Sequence, residues 1–297
     1  MPHVPVLLNE AISHLEPKTE DVIVDATVGA GGHLKGLYDS VKGKGVFIGL
    51  DQDEESLEIL RKNFNDSRNV FLINENFRNL DKIFRNLKIE KVDRIIFDLG
   101  VSSMQIDDYG RGISFKKNEP LIMSMRKGAE AEGLTATDMV NSWSESDIAD
   151  LIYKYGEERF SRKIAKGIVE SRRKKKIETT FDLMETVERS VPAFYRRGRI
   201  HCATRTFQAL RIAVNDELGA LQEVLPKAWS LLGGGGRISV ISFHSLEDRI
   251  VKNFFRNKAK EGEAKLINKK PITPTQEEVK ANPRSRSAKM RVIEKTI

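Results

Sequence analysis

The feature that most constrains the fold is a glycine-rich turn that joins an apolar strand to a helix. The strand opens with three β-branched residues at 22–24, and apolar residues at helical spacing predict a helix over 33–41. Three glycines lie between them, Gly29, Gly31 and Gly32. Glycine is favoured in such a turn because it adopts positive φ and lets a ligand approach the backbone, and the helix start offers free N–H groups.

An acidic residue follows this turn at a spacing typical of nucleoside binding. A second apolar strand, 46–50, ends in Asp51, about 20 residues after the turn, where Rossmann-type sheets place a carboxylate that meets ribose hydroxyls. The dinucleotide pattern G-x-G-x-x-G is broken, because Leu34 stands in place of the third glycine. The pair predicts a nucleoside-containing ligand, and the alternative is a tight strand–helix turn that binds nothing.

Strands and helices alternate through the first third of the chain. The predicted strands are 22–27, 46–50, 70–74 and 94–99, and the predicted helices are 33–41, 54–64 and 79–87. This alternation predicts a parallel sheet with right-handed crossovers, and ligands bind such sheets beyond the carboxyl ends of the strands.

The pattern becomes helical after Ser103. Helices are predicted over 135–143, 144–155, 161–175 and 180–190, and a long helix from Thr204 towards Leu225 is predicted to break at Pro226. A fifth strand over 238–243, a helix over 246–260 and short strands near 264–268 and 290–295 follow. The chain is therefore predicted to divide into 1–105, the first part of a core; 106–204, an inserted helical domain; and 205–297, the second part of the core with a basic tail.

The charge is spread unevenly along the chain. The formal net charge is +7, but residues 159–199 carry a net +8 and residues 249–297 a net +9, which leaves −10 for the remainder. Two basic segments on an acidic body are typical of a protein that binds a polyanion, most plausibly nucleic acid. The alternative for either segment alone is a solvated charged face.

Composition also limits the classes of protein to which this chain can belong. The N-terminus lacks the basic and apolar regions of a signal peptide, and no apolar run approaches the roughly 20 residues needed to span a bilayer. The single cysteine, Cys202, excludes an internal disulfide and a cysteine-based zinc cluster. We expect a cytoplasmic protein with no membrane partner and no metal, and its oligomeric state stays open, with a homodimer as one alternative.

The fourth predicted strand ends in a carboxylate at the mouth of the cleft. Asp98 closes an apolar run and precedes the segment 99–103. A carboxylate at this place can accept a hydrogen bond from an exocyclic amine and can help remove a proton from it. The alternative is an ordinary cap of the turn after the strand.

Five blocks of sequence together resemble the bacterial 16S ribosomal RNA (cytosine-N4)-methyltransferases, the RsmH or MraW family. They are Asp-Ala-Thr-Val-Gly-Ala-Gly-Gly-His at 25–33, Asp-Leu-Gly-Val-Ser-Ser at 98–103, the stretch 203–218, Ser-Phe-His-Ser-Leu-Glu-Asp-Arg at 242–249 and Pro-Arg-Ser-Arg-Ser-Ala-Lys at 283–289. The resemblance covers nearly the whole chain. It implies a class I, Rossmann-like methyltransferase core with an inserted all-helical domain, S-adenosylmethionine as methyl donor and a decoding-centre cytosine of 16S rRNA in the small ribosomal subunit as acceptor.

The resemblance also implies which residues bind the donor. By position they are Gly31, Gly32, His33, Asp51, Phe77, Asp98 and Gln105. The glycines let the backbone pass the donor, Asp51 can bind the ribose hydroxyls and Phe77 can pack on the adenine. Asp98 is the candidate catalytic residue, facing the donor's amino group or the target base.

Two departures from the family pattern keep alternatives open. Ile122 and Ser124 replace the acidic and basic residues that the family usually carries in Leu-Asp-Met-Arg-Met, and Cys202 stands where proline is expected. The first departure gives weight to a ribosome-assembly factor that retains the fold without the activity. The second alternative, a nicotinamide-dependent dehydrogenase, is disfavoured by the broken dinucleotide pattern.

Overall fold

The computed structural model describes residues 5–65, 67–100, 110–125 and 133–296. It divides into two compact units. Met1–Ser102 together with Leu218–Ile297 form the first, which we call the sheet unit, and Ser103–Glu217 form the second, which we call the helical unit. No helix among the described residues is long and apolar enough to cross a membrane.

The sheet unit is built on one seven-stranded sheet. Its strands are β1 Val22–Asp25, β2 Val46–Asp51, β3 Val70–Asn74, β4 Val92–Asp98, β5 Leu232–Ser242, β6 Ala264–Leu266 and β7 Lys289–Lys295. The spatial order is β3-β2-β1-β4-β5-β7-β6. The first five strands are parallel, and β7 pairs antiparallel with both β5 and β6. This order, with β7 running opposite to the other six strands, matches the Rossmann-like sheet that the family resemblance implies, so the predicted fold class is confirmed.

The described helices follow the predicted alternation closely. They are α1 Leu8–Leu15, α2 Gly32–Ser40, α3 Glu54–Asn63, α4 Leu80–Leu87, α5 Ala136–Ser142, α6 Glu145–Gly156, α7 Ser161–Arg172, α8 Thr180–Ser190, α9 Ala193–Arg196, α10 Thr204–Asn215, α11 Glu217–Leu231, α12 Ser245–Lys260 and α13 Gln276–Ala281. Short 3₁₀ turns cover Phe77–Asn79 and Pro283–Ser287. Ser144 caps α6, since its side chain accepts a hydrogen bond from the Asp147 N–H.

Apolar side chains on both faces of the sheet explain why its strands lack a polar side. Along β4, Ile95 and Phe97 enter the core that α4 and α11 cover, while Ile96 points into the core on the opposite face. The alternation follows from the two-residue period of a strand, and each fully buried side chain of this size contributes about 1.5–3 kcal/mol. Because both faces of the sheet are covered, we expect a ligand to bind at the edge where the parallel strands end.

The helical unit packs α5 to α10 around a single apolar cluster of its own. Phe207 and Leu210 of α10 lie in this cluster, which places α10 in the helical unit. The sequence division differs here, because it began the second part of the core at residue 205. Gly156 permits the close approach of α6 and α10, since a Cβ there would lie 2.6 Å from the Arg205 carbonyl oxygen.

The predicted break of the long helix at Pro226 is wrong. The chain breaks at Asp216, whose φ of 47° lies in the left-handed region and whose N–H closes the last turn of α10. Pro226 lies inside α11, where it removes one helical hydrogen bond while Leu225 and Trp229 stay buried in the core. Burial of the flanking apolar residues therefore outweighs the lost hydrogen bond.

The fifth strand begins earlier than its apolar pattern predicts. β5 starts at Leu232 rather than at 238, because the four glycines at 233–236 belong to the strand, with Gly235 at a positive φ of 75°. The pairing with β4 shifts register between Val92 and Arg94. A run without side chains carries no period, so the sequence pattern shows only its second half.

Candidate functional site

The glycine turn after β1 has the conformation that its sequence predicts. Gly29 has φ 47° and Gly31 has φ 82°, both in the region that favours glycine, and α2 begins at Gly32. A Cβ on Gly31 would lie 2.2 Å from Leu60 Cδ1, and one on Gly32 would lie 2.2 Å from Pro5 Cγ. Two constraints, backbone conformation and close packing, therefore require glycine here.

The Asp51 carboxylate ties the end of β2 to the glycine turn. Its Oδ2 accepts a hydrogen bond from the Gly29 N–H at 2.8 Å, and its Oδ1 accepts one from the Asp53 N–H at 2.9 Å. Burial raises the pKa of Asp51 above its ordinary value, although these N–H groups partly offset the effect. Each carboxylate oxygen has a second lone pair, so the residue can hold the turn and still accept from a hydroxyl.

Asp98 and His33 meet at the edge where the parallel strands end. Asp98 Oδ2 lies 3.5 Å from His33 Nδ1. His33 Nε2 lies 2.9 Å from the Val6 carbonyl oxygen, and because a carbonyl only accepts, Nε2 carries the proton. Burial lowers the pKa of His33, which keeps the imidazole neutral. The unprotonated Nδ1 therefore faces the Asp98 carboxyl group as a hydrogen-bond acceptor.

The environment of Asp98 favours retention of a proton near neutral pH. Its side chain is 19% exposed, and burial raises its pKa to about 7. Its backbone N–H donates to Thr27 Oγ1 at 2.6 Å. This hydrogen bond ties the end of β4 to Thr27, which lies two residues after the end of β1. Oδ1 is buried and has no hydrogen-bond partner among the described residues. That oxygen is available to a ligand.

A third carboxyl group, Asp25, was not predicted as a site residue. It ends β1, is buried, and accepts a hydrogen bond at Oδ1 from the Thr27 N–H at 3.2 Å. Its Oδ2 has no partner within the described part of the chain. Burial raises the pKa of Asp25 to about 7, and the nearby Asp98 and Asp51 carboxylates act in the same direction. Its place at a strand end, directly before the glycine turn, is the signal that could have identified it.

Phe77 follows the end of the third parallel strand by three residues. β3 pairs with β2 so that Asn74 lies opposite Asp51, and Phe77 begins the 3₁₀ turn that follows. Its ring packs edge-on against Phe97, with centroids 5.9 Å apart and an angle of 86° between the planes. The residue is only partly buried, so its ring retains exposed area. Gln105, the remaining predicted donor-binding residue, lies outside the described residues.

The family model of the MraW methylase family matches residues 1–296 of the chain. The chain belongs to this family. A protein named ribosomal RNA small subunit methyltransferase H from Clostridium botulinum (strain Kyoto / Type A2) is 45% identical over 309 residues, covering 99% of this chain and 98% of the relative. The protein of the same name from Heliobacterium mobile is 44% identical over 312 residues, with the same coverage.

A solved structure also resembles this MraW-family chain over nearly its whole length. It is an rRNA methylase from Streptococcus thermophilus, 13% identical, with a TM-score of 0.45, covering 98% of this chain and 93% of that one.

The segment that departs from the MraW-family pattern lies in the helical unit. Leu121 and Met123 are fully buried, and Met123 has a positive φ of 63°. Asn215 holds the backbone on both sides, since its Nδ2 donates to the Met123 carbonyl and its Oδ1 accepts from the Met125 N–H, each at 2.8 Å. Of the two departing residues, Ser124 lies between these anchored positions and Ile122 directly precedes them. The departure therefore leaves the buried apolar framework of the segment in place.

One group in the helical unit contains residue types that bind metals. Ligand atoms of Glu188, His201 and Cys202 lie within 4.8 Å of one another. His201 Nε2 is 3.2 Å from Glu188 Oε1, and burial raises the pKa of the Cys202 thiol, which opposes the thiolate form that a metal requires. We assign no metal to this group, and the expectation of a metal-free protein stays a prediction.

Proposed function

We propose that this protein transfers a methyl group from S-adenosylmethionine to N4 of a decoding-centre cytosine in 16S rRNA of the small ribosomal subunit. Membership of the MraW methylase family supports the reaction class, and the names of its relatives support the small-subunit rRNA substrate. The proposal implies a cytoplasmic reaction. The observation that carries the chemistry is the Asp98–His33 pair beside the glycine turn, because it joins a nucleoside-binding edge to a carboxyl group able to take a proton.

The residues at this edge fit the donor. The backbone of Gly31 and Gly32 would pass alongside it, Asp51 would accept hydrogen bonds from its ribose hydroxyls and Phe77 would pack on its adenine ring. The buried oxygen Asp25 Oδ2 lacks a partner among the described residues, and an acceptor of this kind suits a ligand with a charged amino group. When bound, S-adenosylmethionine supplies a methyl group on a positively charged sulfur.

The reaction requires alignment and a proton acceptor. As the N4–carbon bond forms, the carbon–sulfur bond breaks and the amino group must lose one proton. Alignment of the reacting atoms can supply about 7–11 kcal/mol of the barrier. The target base must also be unstacked from the folded RNA before its amino group can reach the edge of the sheet.

We assign the proton to Asp98. A carboxyl group with a pKa of about 7 is divided between its two forms at neutral pH, which is the condition under which a general base is most effective. After it accepts the proton, Asp98 can donate it in a hydrogen bond to His33 Nδ1, 3.5 Å away. His33 therefore orients the carboxyl group through this contact, and Val6 in turn fixes the imidazole.

The basic run 172–176 supplies charge for the RNA. Arg172 Nη1 donates to the Val140 carbonyl, and Lys175 pairs with Asp182 at 3.1 Å, so these two charges are partly engaged. Arg173 and Lys174 are exposed and form no ion pair with any described residue. We expect these two side chains to neutralise RNA phosphates, each releasing a counterion.

The test is methylation of purified small subunits that lack the modification. The protein is incubated with labelled S-adenosylmethionine, and the 16S rRNA is digested and mapped by mass spectrometry. A single added methyl group on N4 of a decoding-centre cytosine supports the proposal. Binding of the subunit without methyl transfer would favour the assembly-factor alternative, and calorimetric binding of NADH instead of S-adenosylhomocysteine would favour the dehydrogenase.

A further inference from the structure

The helical unit carries three aromatic rings gathered around one arginine. The Arg159 guanidinium carbon lies 4.8 Å from the centre of the Phe160 ring, 5.1 Å from that of Tyr195 and 5.9 Å from that of Phe194. Phe160 packs against Tyr195 with a centroid distance of 4.8 Å and against Phe194 at 6.3 Å. We call these four residues the aromatic cluster.

A buried glutamate fixes the cluster in place. Glu158 is fully buried, and its Oε2 accepts a hydrogen bond from the Tyr195 hydroxyl at 2.5 Å while its Oε1 accepts one from the Phe160 N–H at 2.8 Å. Burial and this glutamate raise the pKa of Tyr195 to about 12, so the hydroxyl stays a donor. The ring of Phe194 therefore lies beside two anchored residues, because Glu158 holds both Phe160 and Tyr195.

Packing within the unit does not account for Phe194. Its side chain is 67% exposed, although burial of a phenylalanine is worth about 1.5–3 kcal/mol. The segment around it, 192–201, contains no acidic residue and presents three arginines, Arg196, Arg197 and Arg199. All three are exposed, and none forms an ion pair with a described residue. An exposed ring beside three unpaired cations is a surface that matches a partner carrying both a flat apolar face and negative charge.

One class of partner matches both features. Unpaired bases stack on exposed aromatic rings, and the adjoining phosphates bind arginines. In a duplex the base faces are already stacked, so a duplex would use the arginines alone. An apolar protein segment would use the ring but would leave the three arginines unpaired.

We propose that Phe194 is a stacking platform for an unpaired base of single-stranded RNA, with Arg196, Arg197 and Arg199 binding the adjoining phosphates. The inference rests on the proposed RNA substrate and adds a specific contact surface to it. Arg159, whose guanidinium carbon lies within 5.9 Å of all three ring centres, places a positive charge beside the platform and strengthens its attraction for a phosphate backbone.

The experiment measures binding of the full-length protein to a fluorescein-labelled single-stranded RNA of about 12 nucleotides, by anisotropy. Phe194→Ala is expected to weaken binding about 5- to 150-fold, as expected for the loss of one stacked base, while the salt dependence stays as in the wild type. Arg196→Ala with Arg197→Ala is expected to lower the slope of log affinity against log salt by about 1.4. The same RNA annealed to its complement is expected to bind Phe194→Ala and wild type equally.

Two further variants separate stacking from a structural effect. Phe194→Trp keeps an aromatic face, so it should retain affinity, and its added indole fluorescence should be quenched by the RNA. Tyr153→Ala is the matched control, because Tyr153 is an aromatic side chain of the same unit that is 65% exposed and lies outside the cluster. It should bind the single strand like the wild type. Equal affinity of Phe194→Ala and wild type for the single strand would overturn the proposal, as would a Phe194→Trp variant whose fluorescence is unchanged by RNA.

The outcome is independent of the methylation test. If wild-type protein methylates small subunits and Phe194→Ala binds single-stranded RNA normally, the stacking platform is wrong and the proposed reaction stands. If Phe194→Ala loses single-strand binding and the wild type fails to methylate small subunits, the platform is supported and the proposed reaction is wrong.

Discussion

The replacement Asp98→Asn tests the proposed chemistry most directly. Asparagine keeps the size of the side chain, and its amide N–H can donate to His33 Nδ1, which otherwise requires a protonated carboxyl group. What the variant loses is the ability to accept a proton. We therefore expect the site geometry to survive and methylation of small subunits, at saturating S-adenosylmethionine, to fall about 10²- to 10⁴-fold.

The pKa of Asp98 sets the expected pH profile. With a pKa of about 7, the ionised fraction is about one tenth at pH 6 and about nine tenths at pH 8, so wild-type turnover should rise nearly tenfold between them. The residual turnover of Asp98→Asn should lack this rise. The control is Asp93→Asn at the opposite end of the same strand, where the carboxylate accepts from the Val22 N–H. Its pH profile should match that of the wild type.

Stability provides the complementary measurement. Because the folded-state pKa of Asp98 is raised from an ordinary 3.8 to about 7, the folded protein binds more protons than the unfolded chain between these values. Its contribution to stability is therefore highest below pH 4 and decreases as the pH rises towards 7, by up to about 4 kcal/mol. Asp98→Asn should unfold at a higher urea concentration than wild type at pH 8, and the difference should vanish near pH 4.

Two results would refute this reasoning. Near-normal turnover of Asp98→Asn at saturating donor would exclude Asp98 as the proton acceptor. A variant that is less stable than wild type at pH 8 would contradict the raised pKa on which the pH profile depends. Donor affinity is measured by calorimetry alongside, so that a loss of binding is not mistaken for a loss of turnover.

Three further predictions follow from the site and the basic run. Gly31→Ala should lower the free energy of unfolding by about 2–5 kcal/mol in urea titrations, since the added Cβ would combine a left-handed φ with a clash against Leu60. The control Gly262→Ala, at a position with φ 78° and no atom within 4 Å of the added Cβ, should lower it by only about 1–2 kcal/mol. Equal losses in the two variants would show that the clash with Leu60 has no effect. Asp51→Ala should weaken binding of S-adenosylhomocysteine by about 1–3 kcal/mol in calorimetry, and unchanged affinity would remove Asp51 from the site. Charge reversal at 173–174 should reduce RNA affinity and flatten its salt dependence without changing donor affinity, and an unaltered salt slope would mark the run as a solvated helix face.

Much of the sheet unit could be predicted from sequence because its signals are local. Alternating apolar strands, glycines with a required positive φ at 29 and 31, and an acidic residue at the end of β2 each lie within a short stretch of chain. The parallel order followed from the alternation of strands and helices, and two short closing strands were predicted near 264–268 and 290–295. The antiparallel direction of β7 was not predicted and is seen only in the structure. Prediction was less successful where the pattern carries no period, as in the glycines at 233–236 that open β5.

The contacts between distant residues were decided by the tertiary structure. In the sequence, β2 and β3 lie between His33 and Asp98. Only the parallel pairing of β1 with β4 brings the two residues to one edge of the sheet. Burial at that edge raises the pKa values of Asp98 and Asp25, and the sequence pattern does not show that these two carboxyl groups are buried. The aromatic cluster likewise depends on a contact between distant residues, because Glu158, between α6 and α7, accepts the hydrogen bond that anchors Tyr195 of α9. The sequence determined which chemical groups are available and which backbone conformations the glycines require. The tertiary structure determined the neighbours of each group and its exposure to water. Neighbours and exposure in turn set the protonation states and contacts on which the chemistry depends.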